Sequence, residues 1–130
     1  MNDIKELREH VKDLKVLFVD DEEMVRDGTG IFLRKFFDNV IICCDGEDGL
    51  KTFKESQDFD IVITDVVMPK MDGITMIKNI KKINPDIFTI FITASRELED
   101  AQDRLSNITI KKPISFDDII MIMQTVGTLK

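Results

Sequence analysis

The chain has 130 residues, 43% of them hydrophobic and 33% charged, with a formal net charge of −7 at neutral pH. That length supports one domain with a continuous core and leaves no room for a second. The acidity argues against direct nucleic-acid binding, which needs clustered Lys and Arg, and no apolar run approaches the ~20 residues of a membrane-spanning helix. The opening stretch MNDIKELREHVKDLK mixes both charges and lacks the apolar core and cleavage site of a secretory signal, so a cytoplasmic location is expected.

Ile4, Leu7 and Val11 fall on one helical face, which predicts a short amphipathic helix in an extension, residues 1–14, ahead of a domain covering 15–129. Val16-Leu17-Phe18-Val19 reads as a first strand, followed by a helix whose apolar stripe is Met24, Val25, Ile31, Phe32, Phe36 and Phe37. Gly28 and Gly30 would weaken that helix by about 1 kcal/mol each, which close packing would explain. Val40-Ile41-Ile42 is a second strand; Cys43 and Cys44 after it match no metal-ligand spacing and are expected to be buried small hydrophobes.

Asp45-Gly46 opens a helix carrying Leu50 and Phe53, Ile61-Val62-Ile63 forms a third strand, and Asp72-Gly73 opens a helix carrying Ile74, Met76, Ile77 and Ile80. Pro85 ends that helix. Phe88-Thr89-Ile90-Phe91-Ile92 is a fourth strand, Glu97 to Leu105 has room only for a short helix, and Ile108-Thr109-Ile110 is a fifth strand. Ser115 and Asp118 form a capping signal for a last helix carrying Ile119, Ile120, Met123 and Val126.

Several strands are apolar at consecutive positions, which fits strands covered on both faces. Five strand–helix alternations with short connections therefore predict an α/β fold, a doubly wound five-stranded parallel sheet with helices on both faces. Ligands of such sheets collect at the carboxyl ends of the strands. Those ends carry Asp20 and Asp21, Asp65, Thr93, and Lys112-Pro113. Three converging carboxylates repel one another, so the cluster suits a divalent cation. All-oxygen ligation with room for water points to Mg²⁺. A carboxylate held there can attack a phosphoryl group as a nucleophile, with the Lys112 ammonium and the Thr93 hydroxyl meeting its oxygens.

Asp20-Asp21, the run Asp65-Val66-Val67-Met68-Pro69-Lys70-Met71-Asp72-Gly73, Thr93-Ala94 and Lys112-Pro113 together resemble the receiver domains of two-component response regulators. The resemblance covers Lys15 to Leu129 and implies a flavodoxin-like strand order 2-1-3-4-5. It implies Asp65 as phosphoacceptor, Asp21 and Asp65 as direct Mg²⁺ ligands with the Val67 carbonyl as a third, and Asp20 acting mostly through metal-bound water. It further implies Lys112 as partner of the phosphoryl group before a cis proline bond, with Lys111 pointing elsewhere, and Thr93 as switch hydroxyl. The partners implied are a cognate histidine kinase or phosphotransfer protein and an output partner, with dimerisation on phosphorylation as a further mode.

The sequence departs from that pattern at Thr109, where Tyr or Phe is usual three residues before the lysine, so a variant of the usual switch is expected. The segment from Thr93 to Lys112 is also short, and Arg104-Leu105-Ser106-Asn107 lacks the customary Gly-Ala. Val67 and Ser95 flank the site as residues that tune aspartyl-phosphate lifetime in the family. His10 lies in a charged stretch as a surface residue, and Met71, Met76, Met121 and Met123 read as core or rim packing. Two other functions compete. A Mg²⁺-dependent aspartyl-phosphate phosphatase would place D-x-D after the first strand and carry a substrate cap, whereas this strand ends in Asp-Asp. A degenerate receiver acting as a binding scaffold would have lost site residues that are all present here. Histidine-kinase activity is not expected of the chain, which lacks a nucleotide-binding glycine loop.

Overall fold

The computed structural model describes residues 3–56, 58–94 and 105–129. Helix α1 (Ile4–Val11) precedes β1 (Lys15–Val19), α2 (Glu23–Arg34), β2 (Asn39–Cys43), α3 (Gly46–Ser56), β3 (Ile61–Thr64), α4 (Gly73–Ile83), β4 (Phe88–Thr93), β5 (Ile108–Lys111) and α5 (Phe116–Val126). Apart from Leu105, the short helix expected over Glu97–Leu105 lies outside the described residues, as does Ser95.

The strands form one sheet in the order β2-β1-β3-β4-β5, every pair parallel. Alternation of side chains divides the core between its two faces. Val16, Phe18, Ile61, Ile63, Ile90, Ile92 and Ile110 pack beneath α1, α2 and α5, whereas Leu17, Val19, Val62 and Phe91 pack beneath α3 and α4. Strands β1, β3 and β4 feed both layers, which is why their apolar runs are continuous, whereas β5 at the sheet edge gives Ile108 and Ile110 to the first layer alone.

The helices start where capping chemistry begins them. Asp72 accepts from the Thr75 amide at 2.7 Å ahead of α4, and Ser115 and Asp118 form a reciprocal capping box ahead of α5. Within α5 the fully buried residues are Ile119, Ile122, Met123 and Val126, while Ile120 is only partly covered. Helix α2 stops at Arg34, short of the predicted stripe's end, because Phe36 and Phe37 leave the helix and both turn into the core.

Two expectations are corrected. Close packing holds for Gly30, where an added Cβ would meet Ile42 Cδ1 at 2.6 Å, but nothing lies within 4 Å of one at Gly28. Cys43 is buried but Cys44 is exposed, because β2 ends at Cys43 and alternation turns the next side chain outward beside Asp45 and Asp48. His10 is exposed and Met76 and Met123 are buried, as expected.

Helix α1 is integrated with the rest. Leu7, Val11 and Leu14 are buried in the same cluster as Val126 of α5, and Arg8 donates to the Lys35 carbonyl at 3.0 Å and to Asp38 at 2.6 Å. Among the described residues, no helix is long and apolar enough to cross a membrane.

Candidate functional site

Parallel register brings the strand ends to one edge. Val19 pairs with Thr64, so the next residues, Asp20 and Asp65, lie side by side, and the Asp65 amide donates to the Val19 carbonyl at 3.1 Å. Thr93 pairs with Lys111 at the other side, and the Lys112 amide donates to the Thr93 carbonyl at 3.0 Å. Alternation leaves Lys111 exposed and turns Lys112 into the site, ahead of a cis bond to Pro113.

Asp20 and Asp65 are 1% and 6% exposed, Thr93 is also buried, and Asp21 is half-buried. Carboxylate oxygens of Asp20, Asp21 and Asp65 all lie within 4.8 Å of one another. At that separation each pair repels by about 3.5 kcal/mol at an effective dielectric of 20. The Lys112 ammonium opposes this, at 2.7 Å from Asp65 Oδ2, 3.0 Å from Asp20 Oδ2 and 3.3 Å from Glu22 Oε1. Three carboxylates against one ammonium leave the inner site near −2, and an all-oxygen donor set of that charge fits a hard divalent cation.

The environment perturbs both principal groups. Burial pushes the Asp65 carboxyl up and the neighbouring Asp20 charge adds to it, outweighing the lowering by Lys112 and the Val66 amide. Burial by itself would lower the Lys112 ammonium, but the hydrogen bonds and charges of Asp65 and Asp20 outweigh it and its pKa is raised. A carboxylate shielded from water, next to a fixed ammonium and in a cluster whose donor set fits a divalent cation, is equipped as a nucleophile toward an anionic electrophile.

The loop after β3 is shaped to hold Asp65 in place. Its Oδ1 accepts the Val66 amide at 2.7 Å, and the Gly73 amide donates to the Val66 carbonyl at 2.8 Å. A Cβ on Gly73 would overlap the Asp65 carbonyl, so only glycine lets α4 begin this close to Asp65. Lys70 in the same loop has φ 67°, in the left-handed region. Val67 lies two residues past Asp65 with its side chain largely exposed, and Thr109 is exposed on β5 with its hydroxyl 2.8 Å from that of Ser106.

Two participants escaped the sequence reading. Glu22 reaches Lys112, a contact that its position directly after Asp20-Asp21 could have suggested, and Arg26 donates to the Asp20 carbonyl at 2.9 Å, for which no local pattern gave a signal. Beside the site opens a cleft of about 430 Å³ lined by Phe18, Val25, Phe32 and Ile114, with Asp20 and Lys112 also in its wall.

Comparison with known proteins agrees with this geometry. The family model described as the response regulator receiver domain matches residues 16–124. The probable C4-dicarboxylate response regulator DctR of Bacillus subtilis is 35% identical over 99 residues, 74% of this chain and 43% of that protein. A cyclic di-GMP phosphodiesterase of Thermotoga maritima is 30% identical over 107 residues, 80% of this chain and 28% of that protein. The chain thus spans less than half the length of these curated relatives. Among solved structures, a receiver domain protein from Clostridium thermocellum superposes with a TM-score of 0.79 at 27% identity, covering 89% of this chain and 95% of that one. A CheX–CheY–BeF3–Mg complex from Borrelia burgdorferi includes a chain 31% identical to this one, with a TM-score of 0.73 and coverage of 87% and 88%. The family match runs from the start of β1 into α5 and so encloses the sheet and every group at its acidic edge: the chain belongs to the receiver domains of two-component response regulators.

Proposed function

We propose that Asp65 accepts a phosphoryl group from a phosphohistidine donor in a Mg²⁺-dependent transfer, and that the charge placed there switches the domain toward an output partner. The observation that carries this reading is the Lys112 ammonium between two buried carboxylates, 2.7 Å from Asp65 and 3.0 Å from Asp20. An Asp65 carboxylate oxygen attacks phosphorus, its O–P bond forms as the donor's P–N bond breaks, and the departing imidazole leaves with the donor's proton, neutral. Lys112 neutralises charge on the phosphoryl oxygens, and the Thr93 hydroxyl donates a hydrogen bond to one of them. Asp20, Asp21, Asp65 and the Val67 carbonyl would hold the metal, which supplies further neutralisation when bound. The Borrelia structure pairs Mg with BeF3 on a similar fold, in keeping with this assignment.

The transfer adds roughly −1.5 to −2 charge at Asp65. With Thr109 where an aromatic ring is usual, the response passes from Thr93 without ring rotation. The chain catalyses only its own modification. Its partners are a histidine kinase or phosphotransfer protein and an output protein, with dimerisation on phosphorylation, in the cytoplasm. Residues 15–129 form the receiver and 1–14 an N-terminal extension that carries α1. Intact mass after incubation with acetyl phosphate and Mg²⁺ tests the reading: one added phosphoryl group on the wild type and none on Asp65→Asn is expected. An unchanged wild-type mass, or equal labelling of the variant, refutes it.

A further inference from the structure

We infer that Arg26 is a positioning residue for the metal-binding turn, fixing the Asp20 carbonyl with its guanidinium and thereby aiming the carboxylates of Asp20 and Asp21. The inference rests on the function proposed above and assigns a further residue to the same site.

Asp20 to Glu22 must carry the chain from the end of β1 into α2 within three residues while presenting two carboxylates to one point. Helix α2 begins without the usual help, because its N-cap residue Glu22 makes no side-chain cap hydrogen bond. Arg26 lies in the first turn, its own amide bonded to the Glu22 carbonyl at 2.9 Å. Its side chain folds back against the helix direction, and Nη1 donates to the Asp20 carbonyl at 2.9 Å.

That carbonyl belongs to the planar peptide joining Asp20 to Asp21. Holding the plane sets ψ of Asp20 and φ of Asp21 together, and so the directions in which both side chains leave the backbone. The rest of Asp20 is already tied: its amide donates to the Cys43 carbonyl at 3.3 Å, Oδ1 accepts the Glu22 amide at 2.9 Å, and Oδ2 meets Lys112. A divalent cation must take the Asp20 carboxylate away from its present partners, whereas two bonds tie the backbone of the turn and leave the carboxylates unengaged: the one between the Asp20 amide and the Cys43 carbonyl, and the one from Arg26, which alone of the two holds the peptide leading into Asp21. Arg26 thus keeps the turn in place while its acidic groups change partners.

Charge alone would make the opposite prediction, because a nearby cation opposes a metal ion. Three chains separate the two: wild type, Arg26→Met, which keeps the stem without donor or charge, and Arg26→Lys, which keeps both in a different shape. The chain has no Trp or Tyr, so Mg²⁺ affinity is read by calorimetry and by amide shifts of Asp20 to Glu22. Arg26→Met is expected to bind Mg²⁺ roughly three- to tenfold more weakly, the worth of one hydrogen bond. Its labelling by acetyl phosphate should be slow at low Mg²⁺ and recover at saturating Mg²⁺, with Arg26→Lys intermediate in both. Affinity equal to or tighter than wild type in Arg26→Met overturns the inference, whether or not the melting temperature falls. A wild-type chain that bound no Mg²⁺ would remove the metal reading and this inference together, whereas binding without phosphorylation would refute the acceptor role alone.

Discussion

Lys112 stands between two carboxylates that water scarcely reaches, and replacing it by Met keeps its stem while removing the ammonium. Contacts of 2.7 and 3.0 Å correspond to gross attractions of about 6 and 5.5 kcal/mol at an effective dielectric of 20. Desolvation offsets much of this, and removing one partner of a buried pair typically costs about 3–5 kcal/mol, because the other charge is left stranded. For a domain of this size that lowers the melting temperature by roughly 10–20 °C. The pH dependence has a definite sign. The Lys112 pKa is raised on folding, so its contribution is fully present below the ordinary lysine value and is lost only as pH rises through the folded one. Wild type therefore keeps it throughout pH 5–9. In Lys112→Met the stranded Asp65, already pushed up by burial, takes up a proton more readily on acidification, so the deficit shrinks as pH falls from neutrality. Mg²⁺ should shrink it as well. Thermal melts by circular dichroism at several pH values, with and without Mg²⁺, measure this; a deficit independent of both would mean that the lysine stem, not its charge, was what mattered.

Gly73→Ala drives a Cβ into the Asp65 carbonyl and is expected to cost roughly 1–3 kcal/mol in urea melts and to slow phosphorylation, whereas Gly28→Ala meets open space within a helix and should gain about 0.5–1 kcal/mol. Equal effects of the two would contradict the packing described. Leu14→Ala should cost about 2–5 kcal/mol by chemical denaturation, and Arg8→Ala, whose ion pair is exposed, less than about 1 kcal/mol; a Leu14→Ala variant as stable as wild type would detach the amino-terminal segment from the core. Thiol labelling at pH 8 should consume one equivalent in the native state. Cys44 is exposed, while burial pushes the Cys43 thiol up to about 11 and shields it until the chain unfolds.

The sheet was legible because β-branched runs such as Ile61-Val62-Ile63 are local and admit few conformations. The capping residues Asp72 and Ser115 likewise act on amides only three positions away. Asp20, Asp21, Asp65, Thr93 and Lys112 could be read together since a parallel sheet must bring its strand ends to one edge, whatever the details of packing. Residue order alone therefore determined the layers, the edge that carries the chemistry and the charges that meet there. Tertiary structure decided what depends on separations between elements. Gly30 but not Gly28 is pressed by Ile42, Cys44 faces outward where β2 stops, and α2 ends early so that Phe36 and Phe37 both reach the core. Glu22 reaches Lys112 across 90 positions of chain, and Arg26 turns back along its own helix to the Asp20 carbonyl. Long side chains with many rotamers choose among partners by distance, and those distances exist only once strands and helices have packed.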